Sequence, residues 1–461
     1  MAGDIKKLTR RKFLTGCAAL CAGSSSLLAT LSRLQLAHAQ VMPPVGDYKA
    51  LVCIFLYGGN DAFNMLVPRD TGVYGVYADT RQNLAIAQSD LLPITSASQS
   101  YTDFGLNPQL PNLQSLYSTG KIAFLANVGA LIEPVSKTAY QAKTVQLPPQ
   151  LFSHNDQQGF VQSLQSNSGR NGWAGRMADL LADVNINDRL SMNISLSGSN
   201  LWQSGTSVVP YSVDPAGIVS LQHVDRSATD LRDMQRVQTY RNLLAQTQDH
   251  MFARAYAGAQ TTAWDLADEV GGALTSVSDL TTVFPGNNRL AQSLQMTARL
   301  IAARQSLNVR RQTFFIGVGD FDTHGAQLTR HTELMTMLDG ALNAFYDATV
   351  ELGVADKVTT FTASDFGRTL TSNGDGTDHA WGSHQLIMGD AVLGGDIYGV
   401  MPSFAINSSD DIGEGRIIPT IGVDQYGATL AKWYGLSESD NSEVFPNLDN
   451  FGSNDLGFLS I

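Results

Sequence analysis

Basic residues are scarce in this chain of 461 residues. It holds 30 lysines and arginines against 42 aspartates and glutamates, which gives a formal net charge of −12 at pH 7. Proteins that bind nucleic acid carry basic patches that neutralise phosphate charges. A chain this acidic lacks that electrostatic footprint and has little attraction to anionic lipid. We therefore expect no nucleic-acid partner, whereas divalent cations are compatible with the composition.

Cysteine is nearly absent. Of three cysteines, Cys17 and Cys21 lie in an N-terminal segment that we expect to be removed, and Cys53 lies in the apolar run LVCIFLY. A mature chain with one cysteine cannot form an internal disulfide. Catalytic thiolates need an electropositive and partly open setting. Cys53 is therefore predicted to be a small buried side chain and not a nucleophile.

Long apolar runs, repeats and low-complexity tracts are also missing. The apolar stretch that reaches Leu31 is diluted by glycines, threonines and the serines at 24–26. It is too weak and too short to span a bilayer core of about 30 Å. The lipoprotein-like string LTGC, at 14–17, lies too near the preceding arginines to leave an apolar core before it, so lipidation is disfavoured. We expect no stable membrane anchor.

The N-terminus has the order of an export signal. Arg10 and Arg11, in TRRKFLTG, precede the diluted apolar stretch, and AHA at 37–39 follows it as a small-x-small cleavage site. Paired arginines ahead of Phe and Leu are an address that the twin-arginine translocase reads. Residues 1–39 are therefore predicted to be a twin-arginine signal peptide. The mature protein would begin at Gln40 and be periplasmic or secreted.

Residues 40–461 alternate between strand and helix patterns. Continuous apolar runs end in glycine or polar residues at 51–61, 121–129, 313–324 and 358–368. Runs of this kind are typical of strands buried on both faces of a parallel sheet. Between them apolar residues recur at three- and four-residue spacing, as in Leu334 and Leu338, which is typical of helices. The alternation predicts an α/β fold with a doubly wound, mostly parallel sheet.

The stretch from about 185 to 290 fits this alternation least. It opens with SMNISLSGSNLWQSGTSVVPYSV, which is rich in serine and alternates between apolar and polar residues. Such alternation is typical of half-exposed strands. We expect either an antiparallel excursion of the sheet or a cap inserted into the main fold.

Aspartate and histidine follow the ends of the predicted strands. Ligands of open α/β sheets bind beyond the carboxyl ends of the strands. The residues concerned are Asp61, Asp320, Asp322, His324, Asp365, Asp378, His379 and His384. Taken singly, each could lie in a solvated turn, a helix cap or the core. Together they predict a shared polar site, and their oxygen and nitrogen ligands suit zinc, manganese or magnesium as a candidate cofactor.

Several long strings of the mature chain resemble one family. They are LVCIFLYGGNDAFNMLVP, RNGWAGR, GDFDTHGAQ, SDFGRTL, GTDHAWGSHQLIMGDAVLGGDIYG and DQYGATLAKWYG. They are similar to the exported bacterial proteins of the DUF1501 family, a family of unknown function in the alkaline phosphatase and sulfatase superfamily. The resemblance covers most of the mature chain and implies an alkaline-phosphatase-like fold. It supplies no demonstrated reaction.

The resemblance also implies a set of metal ligands. Members of the superfamily commonly hold one divalent ion by Asp-x-x-x-His with a later His. They hold another by an early Asp, an Asp-His pair and a Ser or Thr nucleophile. Asp320 and His324 have the first spacing, although Asp322 is the more family-like acid. His379 or His384 would be the later imidazole.

The second ion has a less complete match. Asp61 resembles the early acid and Asp365 the first member of the pair, but Phe366 stands where a histidine is expected. This departure argues against a second metal. The favoured ligands are therefore Asp322, His324, Asp365 and His379, with Asp320 and His384 as alternates.

Two more residues are candidates for chemistry on a small anionic ester. Ser153, in LFSHND, is a candidate nucleophile at a predicted helix start, or an N-cap alone, with His154 pointing to solvent. Arg368 could clamp a phosphate or sulfate oxygen, or pair with a neighbouring acid. We expect an exported metal-dependent hydrolase of phosphate or sulfate esters. The alternative is a non-catalytic binding or surface-assembly protein that retains the fold.

Overall fold

A central nine-stranded sheet organises the chain in this computed structural model, which describes residues 47–166, 169–218, 224, 226, 229–246 and 250–461. Tyr48–Ile461 form one compact unit. The predicted signal peptide, residues 1–39, lies outside the described residues. Among those that are described, no helix is long and apolar enough to cross a membrane.

The strands form two sheets. In chain order they are β1 (Lys49–Leu56), β2 (Leu66–Pro68), β3 (Leu92–Thr95), β4 (Asp103–Leu106), β5 (Ile122–Gly129), β6 (Asn193–Ser195), β7 (Tyr211–Ser212), β8 (Arg311–Val318), β9 (Val358–Ser364), β10 (Ser383–Met388), β11 (Ile397–Tyr398) and β12 (Ile421–Gly422). The central sheet has the order β11-β5-β10-β9-β1-β8-β6-β7, and β12 also pairs with β5. Strands β2, β4 and β3 form a separate antiparallel sheet.

Helices follow or separate most of these strands. They are α1 (Thr71–Arg81), α2 (Pro111–Ser118), α3 (Lys137–Ala142), α4 (His154–Ser163), α5 (Trp173–Leu180), α6 (Leu231–Ala245), α7 (Met251–Ser276), α8 (Arg289–Ala302), α9 (Gln327–Glu351), α10 (Val423–Tyr434) and α11 (Asn441–Val444). Short 3₁₀ helices lie at Ala62–Asn64, Gln82–Leu84, Ala182–Val184, Glu438–Asp440 and Leu448–Asn450.

The four apolar runs are strands of the central sheet, as predicted. They form β1, β5, β8 and β9, and β1 lies between β8 and β9, parallel to both. Alternate residues of β1 enter two different apolar clusters: Val52 packs with helices α8 and α9, whereas Cys53 packs with α5 and α10. Helices therefore cover both faces, and the α/β class with a doubly wound, mostly parallel sheet is confirmed. Cys53 is a buried free cysteine, and burial raises the pKa of its thiol.

One interior strand runs against its neighbours. Strand β10 pairs antiparallel with both β5 and β9. Its sequence, SHQLIM, is buried throughout, as are most residues of the parallel strands. Burial on both faces therefore does not reveal the direction of a strand.

The stretch from 185 to 290 contains parallel edge strands and helices. Strands β6 and β7 pair parallel with each other, and β6 pairs parallel with β8. The expected antiparallel excursion is thus wrong for the named strands of this stretch. Helices α6 and α7 follow, and α7 enters the core only in its second half, through Leu266, Val270 and Leu274. A role of these helices as a cap stays a prediction.

The parallel pairing brings three loops to one edge of the sheet. Strands β1, β8 and β9 end side by side, with Leu56 in register with Val318 and with Ser364. The loops that follow them contain most of the aspartates and histidines that the sequence pattern singled out. The side chains of Asp322, His324 and His379 meet at this edge.

Candidate metal centre

Three side chains from separate segments converge at the carboxyl ends of the central strands. They are His154, Asp322 and His379, and one ligand atom from each lies within 4.8 Å of the other two. His154 is the first residue of α4, Asp322 follows β8, and His379 lies between β9 and β10. All three side chains are half-buried. The group is therefore both held by the fold and open to an ion from solvent.

A fourth side chain, His324, lies on the exposed side of this group. Its Nε2 is 2.9 Å from Nε2 of His379 and 3.1 Å from Oδ1 of Asp322. Nε2 of His379 is 3.3 Å from that oxygen, and Nε2 of His154 is 3.6 Å from Oδ2 of the same carboxylate. Ligand atoms around a tetrahedral zinc ion, with bonds of about 2.0–2.1 Å, lie about 3.3 Å apart. The separations therefore match those of ligands around a single ion.

Each of the three imidazoles is held through its Nδ1 atom. Nδ1 of His379 lies 2.7 Å from the carbonyl oxygen of Phe152. Nδ1 of His324 lies 3.1 Å from Oδ1 of Asp378, and Nδ1 of His154 lies 2.7 Å from Oδ2 of Asp365. Because these oxygens accept, the hydrogen-bond network assigns the proton of a neutral ring to Nδ1 and a lone pair to Nε2.

The pKa of His379 favours the form that binds a metal. Burial lowers this pKa, the nearby charge of Arg368 lowers it further, and the hydrogen bond to Phe152 opposes the shift. Neutral imidazole is the form of histidine that ligates metals. Two Nε2 lone pairs that face each other at 2.9 Å, in His379 and His324, repel unless a cation or proton lies between them.

Arg368 keeps the carboxylate of the group in place. Its buried guanidinium donates to Oδ1 of Asp322, and also to the carbonyls of Gly58 at 2.7 Å, Gly59 at 3.0 Å and Thr377 at 3.1 Å. Burial raises the pKa of Asp322, but the hydrogen bond and charge of Arg368 outweigh it, so the pKa lies below its usual value. Of its two predicted roles, Arg368 therefore occupies the ion-pair role; contact with a substrate anion stays a prediction.

Asp365 lies behind His154 and outside the group of three. Its Oδ2 accepts from Nδ1 of His154, from Nε2 of Gln158 at 2.8 Å and from the backbone amide of Gly58 at 3.2 Å. Burial raises the pKa of Asp365, and its hydrogen bonds to Gln158 and His154 oppose that shift. Asp365 was predicted to be a metal ligand, whereas in the structure it contacts the group through its hydrogen bond with His154.

The acid expected at a second ion is already paired. Asp61 is fully buried, forms an ion pair with Arg81 and accepts from Nε2 of Gln327. The ring of Phe366 lies against the rings of His154 and His379, with centroid distances of 4.9 and 4.7 Å. Asp61 is absent from the group of ligand atoms in the described part of the chain. Phe366, which stands where the superfamily pattern has a histidine, thus supplies an apolar ring beside the candidate ligands His154 and His379.

The two alternate ligands also have other partners. Asp320 forms an exposed ion pair with Arg289, with an N–O distance of 2.6 Å. His384 is buried on β10, where its Nδ1 accepts from the backbone amide of Asn127 at 3.1 Å and its ring meets the ring of Phe63 edge-on. Burial lowers the pKa of His384 to about 3. His384 is therefore a neutral histidine of the core.

Ser153 lies next to the group in the chain. It is the N-cap residue of α4, but its hydroxyl makes no capping bond and donates instead to Oδ2 of Asp156 at 2.6 Å. Its two neighbours, Phe152 and His154, supply a carbonyl oxygen and an imidazole to the group. The role of Ser153 as a nucleophile stays a prediction.

His154 belongs to the group but was not among the predicted ligands. It was predicted to point to solvent only in the alternative that Ser153 is an N-cap alone, whereas its ring faces Asp322 and Asp365. No spacing motif connects position 154 to the loops at 322–379. The available signal was a histidine next to a candidate nucleophile at a helix start, in a chain with 8 histidines.

Comparisons with known proteins give one family and several distant structures. Residues 48–423 match the family model described as "Protein of unknown function (DUF1501)". No curated protein matches the chain. Among solved structures, the lipoteichoic acid synthase LtaP from Listeria monocytogenes is 10% identical with a TM-score of 0.33, over 85% of this chain and 73% of that chain.

Two further solved structures have similar values. The PsFucS1 sulfatase from Pseudoalteromonas sp. is 11% identical with a TM-score of 0.33, over 94% of this chain and 73% of that chain. The C-terminal periplasmic domain of EcEptC from Escherichia coli, in complex with Zn, is 9% identical with a TM-score of 0.30, over 86% and 85% of the two chains. Because these TM-scores are low, the function of this chain is inferred from its own residues.

Proposed function

The chain belongs to the DUF1501 family, and we propose that it is an exported, divalent-metal-dependent hydrolase of phosphate or sulfate esters. His154, Asp322 and His379 would bind the ion, with His324 as a further ligand on the exposed side. Zinc and manganese suit two or three imidazoles and one carboxylate. When bound, such an ion supplies Lewis-acid activation of an ester oxygen and of water.

The convergence of pre-oriented ligand atoms is the observation that supports this proposal. Asp322 is kept ionised by Arg368, and His379 is held by Phe152 with its Nε2 turned towards the carboxylate. His154, Asp322 and His379 supply three protein ligands, the number typical of catalytic zinc sites; with His324 bound as well, an ester oxygen would take a fifth position. Asp322 is 44% exposed, which leaves an open side for an ester group.

The nucleophile would be Ser153 or a water molecule. The hydroxyl of Ser153 donates to the carboxylate of Asp156, which would accept its proton as the serine oxygen bonds to phosphorus or sulfur and the alcohol of the ester leaves; water would then cleave the seryl ester. Replacing Ser153 with Ala distinguishes the two. Loss of all turnover with metal binding intact supports the serine, whereas retained turnover supports water.

The proposal is tested by assaying p-nitrophenyl phosphate and p-nitrophenyl sulfate with the purified mature protein. We expect turnover of at least one ester, loss of turnover with a chelator, and recovery on addition of Zn²⁺ or Mn²⁺. The His379→Ala variant should stay folded and inactive. The Asp347→Asn variant, on the exposed side of α9, should match the wild type. A metal-loaded wild type that hydrolyses neither ester contradicts the hydrolase.

A non-catalytic binding or surface-assembly role is the second candidate. Asp61, the acid expected at a second ion, is paired with Arg81 and Gln327, and Phe366 replaces the expected histidine. Both observations favour a chain that keeps a single ion and lacks the two-ion chemistry of phosphoryl transfer. This candidate predicts metal binding without turnover of any ester.

A further inference from the structure

The buried carboxylate of Asp365 is a hydrogen-bond acceptor beside the group. Its side chain is fully buried, and one oxygen, Oδ2, accepts from three donors: Nδ1 of His154 at 2.7 Å, Nε2 of Gln158 at 2.8 Å and the amide of Gly58 at 3.2 Å. A hydrogen bond to a carboxylate in a low-dielectric setting is stronger than one to a neutral or solvated acceptor. Asp365 therefore constrains the His154 ring tightly.

The other two imidazoles have weaker acceptors. His379 donates to a neutral backbone carbonyl, that of Phe152. His324 donates to Asp378, whose side chain is 52% exposed and therefore screened by solvent. Among these three histidines, His154 is the one whose Nδ1 meets a buried anion.

We propose that Asp365 is a positioning residue that controls metal binding through His154 and does not itself bind the ion. This inference rests on the proposed metal site. Because Asp365 accepts at Nδ1, His154 keeps its Nε2 lone pair towards Asp322, 3.6 Å away. The hydrogen bond to the carboxylate increases the electron density of the ring, so the Nε2 lone pair binds a cation more strongly.

The geometry also separates this role from that of a direct ligand. Oδ2 of Asp365 is occupied by three hydrogen bonds and its Oδ1 is buried without a hydrogen-bond partner, but Asp365 is not part of the group whose ligand atoms lie within 4.8 Å. The ring of His154 stands between the carboxylate and Asp322, since its two nitrogens contact one acid each. The effect of Asp365 on the ion must therefore depend on His154.

A double-mutant cycle on metal affinity tests this dependence. The variants are Asp365→Asn, His154→Ala and the double variant, each titrated as apoprotein with Zn²⁺ against a competing chelator. Asparagine keeps the size and can still accept from His154, but it lacks the charge. We expect Asp365→Asn to lower affinity about 10- to 100-fold, which is the usual effect of losing such a partner. In the His154→Ala background the same change should have almost no effect.

Cobalt spectra give a readout that a merely structural role would not change. The Co²⁺-substituted wild type and Asp365→Asn should keep the same number of ligands, seen as similar d–d band intensities, with a shifted band position. A control variant, Asp347→Asn, should leave affinity and spectrum unchanged. Melting curves of the apoproteins check that the variants are folded, and Asp365→Glu, which restores the charge, should recover part of the affinity.

The outcomes separate this inference from the proposed function. If the wild type binds neither Zn²⁺ nor Co²⁺, the metal site itself fails. If the wild type binds but Asp365→Asn binds equally well, Asp365 has no positioning role. Asp365→Asn could instead lower Zn²⁺ affinity by the same factor in the wild-type and His154→Ala backgrounds, or change the Co²⁺ d–d bands to those of a site with one ligand fewer. Either result would mean that Asp365 is a direct ligand and that the inference is wrong.

Discussion

The contacts of the ring nitrogens place His379 and His384 in two different kinds of environment. His379 is held at Nδ1 by a carbonyl and presents Nε2 to Asp322 and His324. His384 accepts a backbone amide at Nδ1, and its ring lies in an apolar interior against Phe63. The same residue type thus belongs to a candidate metal site in one place and to the core in the other.

This distinction predicts opposite effects of two alanine substitutions. His379→Ala should lower Zn²⁺ affinity about 100-fold or more with little change in the melting temperature of the apoprotein. His384→Ala removes a buried ring, so it should lower the free energy of unfolding by about 2–4 kcal/mol and leave metal affinity unchanged in the folded fraction. Metal titration and thermal denaturation of both variants give the comparison. Equal loss of affinity in the two variants would contradict the assignment of His384 to the core.

A buried carboxyl away from the site predicts a pH dependence of stability. Asp424, near the start of α10, is buried, and burial raises its pKa to about 7, with Asn447 and Arg176 opposing the shift. At pH values between about 3.9, the pKa of an aspartate in the unfolded chain, and the higher pKa of folded Asp424, the unfolded chain has lost the carboxyl proton while the folded chain keeps it. Its contribution to the free energy of unfolding therefore falls as pH rises from about 4 to 7.

An Asp424→Asn variant should remove this dependence. Asparagine is neutral at every pH, so the variant should gain stability relative to the wild type above pH 7, by an amount on the order of 1–3 kcal/mol, and gain less at pH 4.5. Urea unfolding at the two pH values measures the difference. A difference between variant and wild type that is the same at both pH values would rule out a raised pKa.

At the scale of elements, the site depends on the close approach of two loops. Gly58 follows β1 with φ of +113°, and its amide donates to Asp365. A Cβ at this position would lie 2.3 Å from the amide nitrogen of Asp322 in the loop after β8. The loops can therefore supply both a buried acid and a ligand only because position 58 has no side chain.

Gly58→Ala should therefore weaken both the fold and the metal site. The control is Gly353→Ala, because Gly353 at the end of α9 also has a positive φ, +63°, but a Cβ there would meet no atom within 4 Å. We expect the control to lose about 1–2 kcal/mol of stability with unchanged metal affinity. Gly58→Ala should lose more stability and lower Zn²⁺ affinity as well. Equal behaviour of the two variants would show that the loops do not need this contact.

The strands of the sheet could be predicted because burial on both faces leaves a simple pattern. The run around Cys53 is continuous and apolar, the run around Phe361 is rich in β-branched residues including three threonines, and both form central strands. Their order and the antiparallel direction of β10 could not be predicted, since pairing depends on contacts far apart in sequence.

The site was predictable only where ligands follow adjacent strands. Asp322 and His379 were found because the carboxyl ends of parallel strands meet at one edge. His154 was missed because it enters from a helix start that only the tertiary structure brings there. Asp61 also follows a strand, but Arg81 and Gln327 satisfy it, and sequence spacing carries no sign of such distant partners.

At the scale of the whole molecule, we propose that the protein works outside the cytoplasm. The chain is acidic, and residues 1–39 have the order of a twin-arginine signal. Export in a folded state would suit a protein whose metal site is built from segments as distant as 154 and 379.

Export is tested by replacing Arg10 and Arg11 together with lysine. The translocase reads the guanidinium pair and not charge alone, so the double variant should remain in the cytoplasm as uncleaved precursor. Fractionation and mass spectrometry of the N-terminus measure this in cells that have the pathway. Normal cleavage near residue 39 in the double variant would overturn the twin-arginine assignment.

The central claim is that His154, Asp322 and His379 bind one divalent ion, and metal content per chain tests it most directly. Elemental analysis of the mature wild type, before and after incubation with Zn²⁺, Mn²⁺ and Mg²⁺ followed by desalting, should give close to one ion per chain. The His154→Ala and His379→Ala variants should give close to none while remaining folded. A folded wild type that retains no ion under any of these conditions, or one whose ion survives in both variants, would contradict the account.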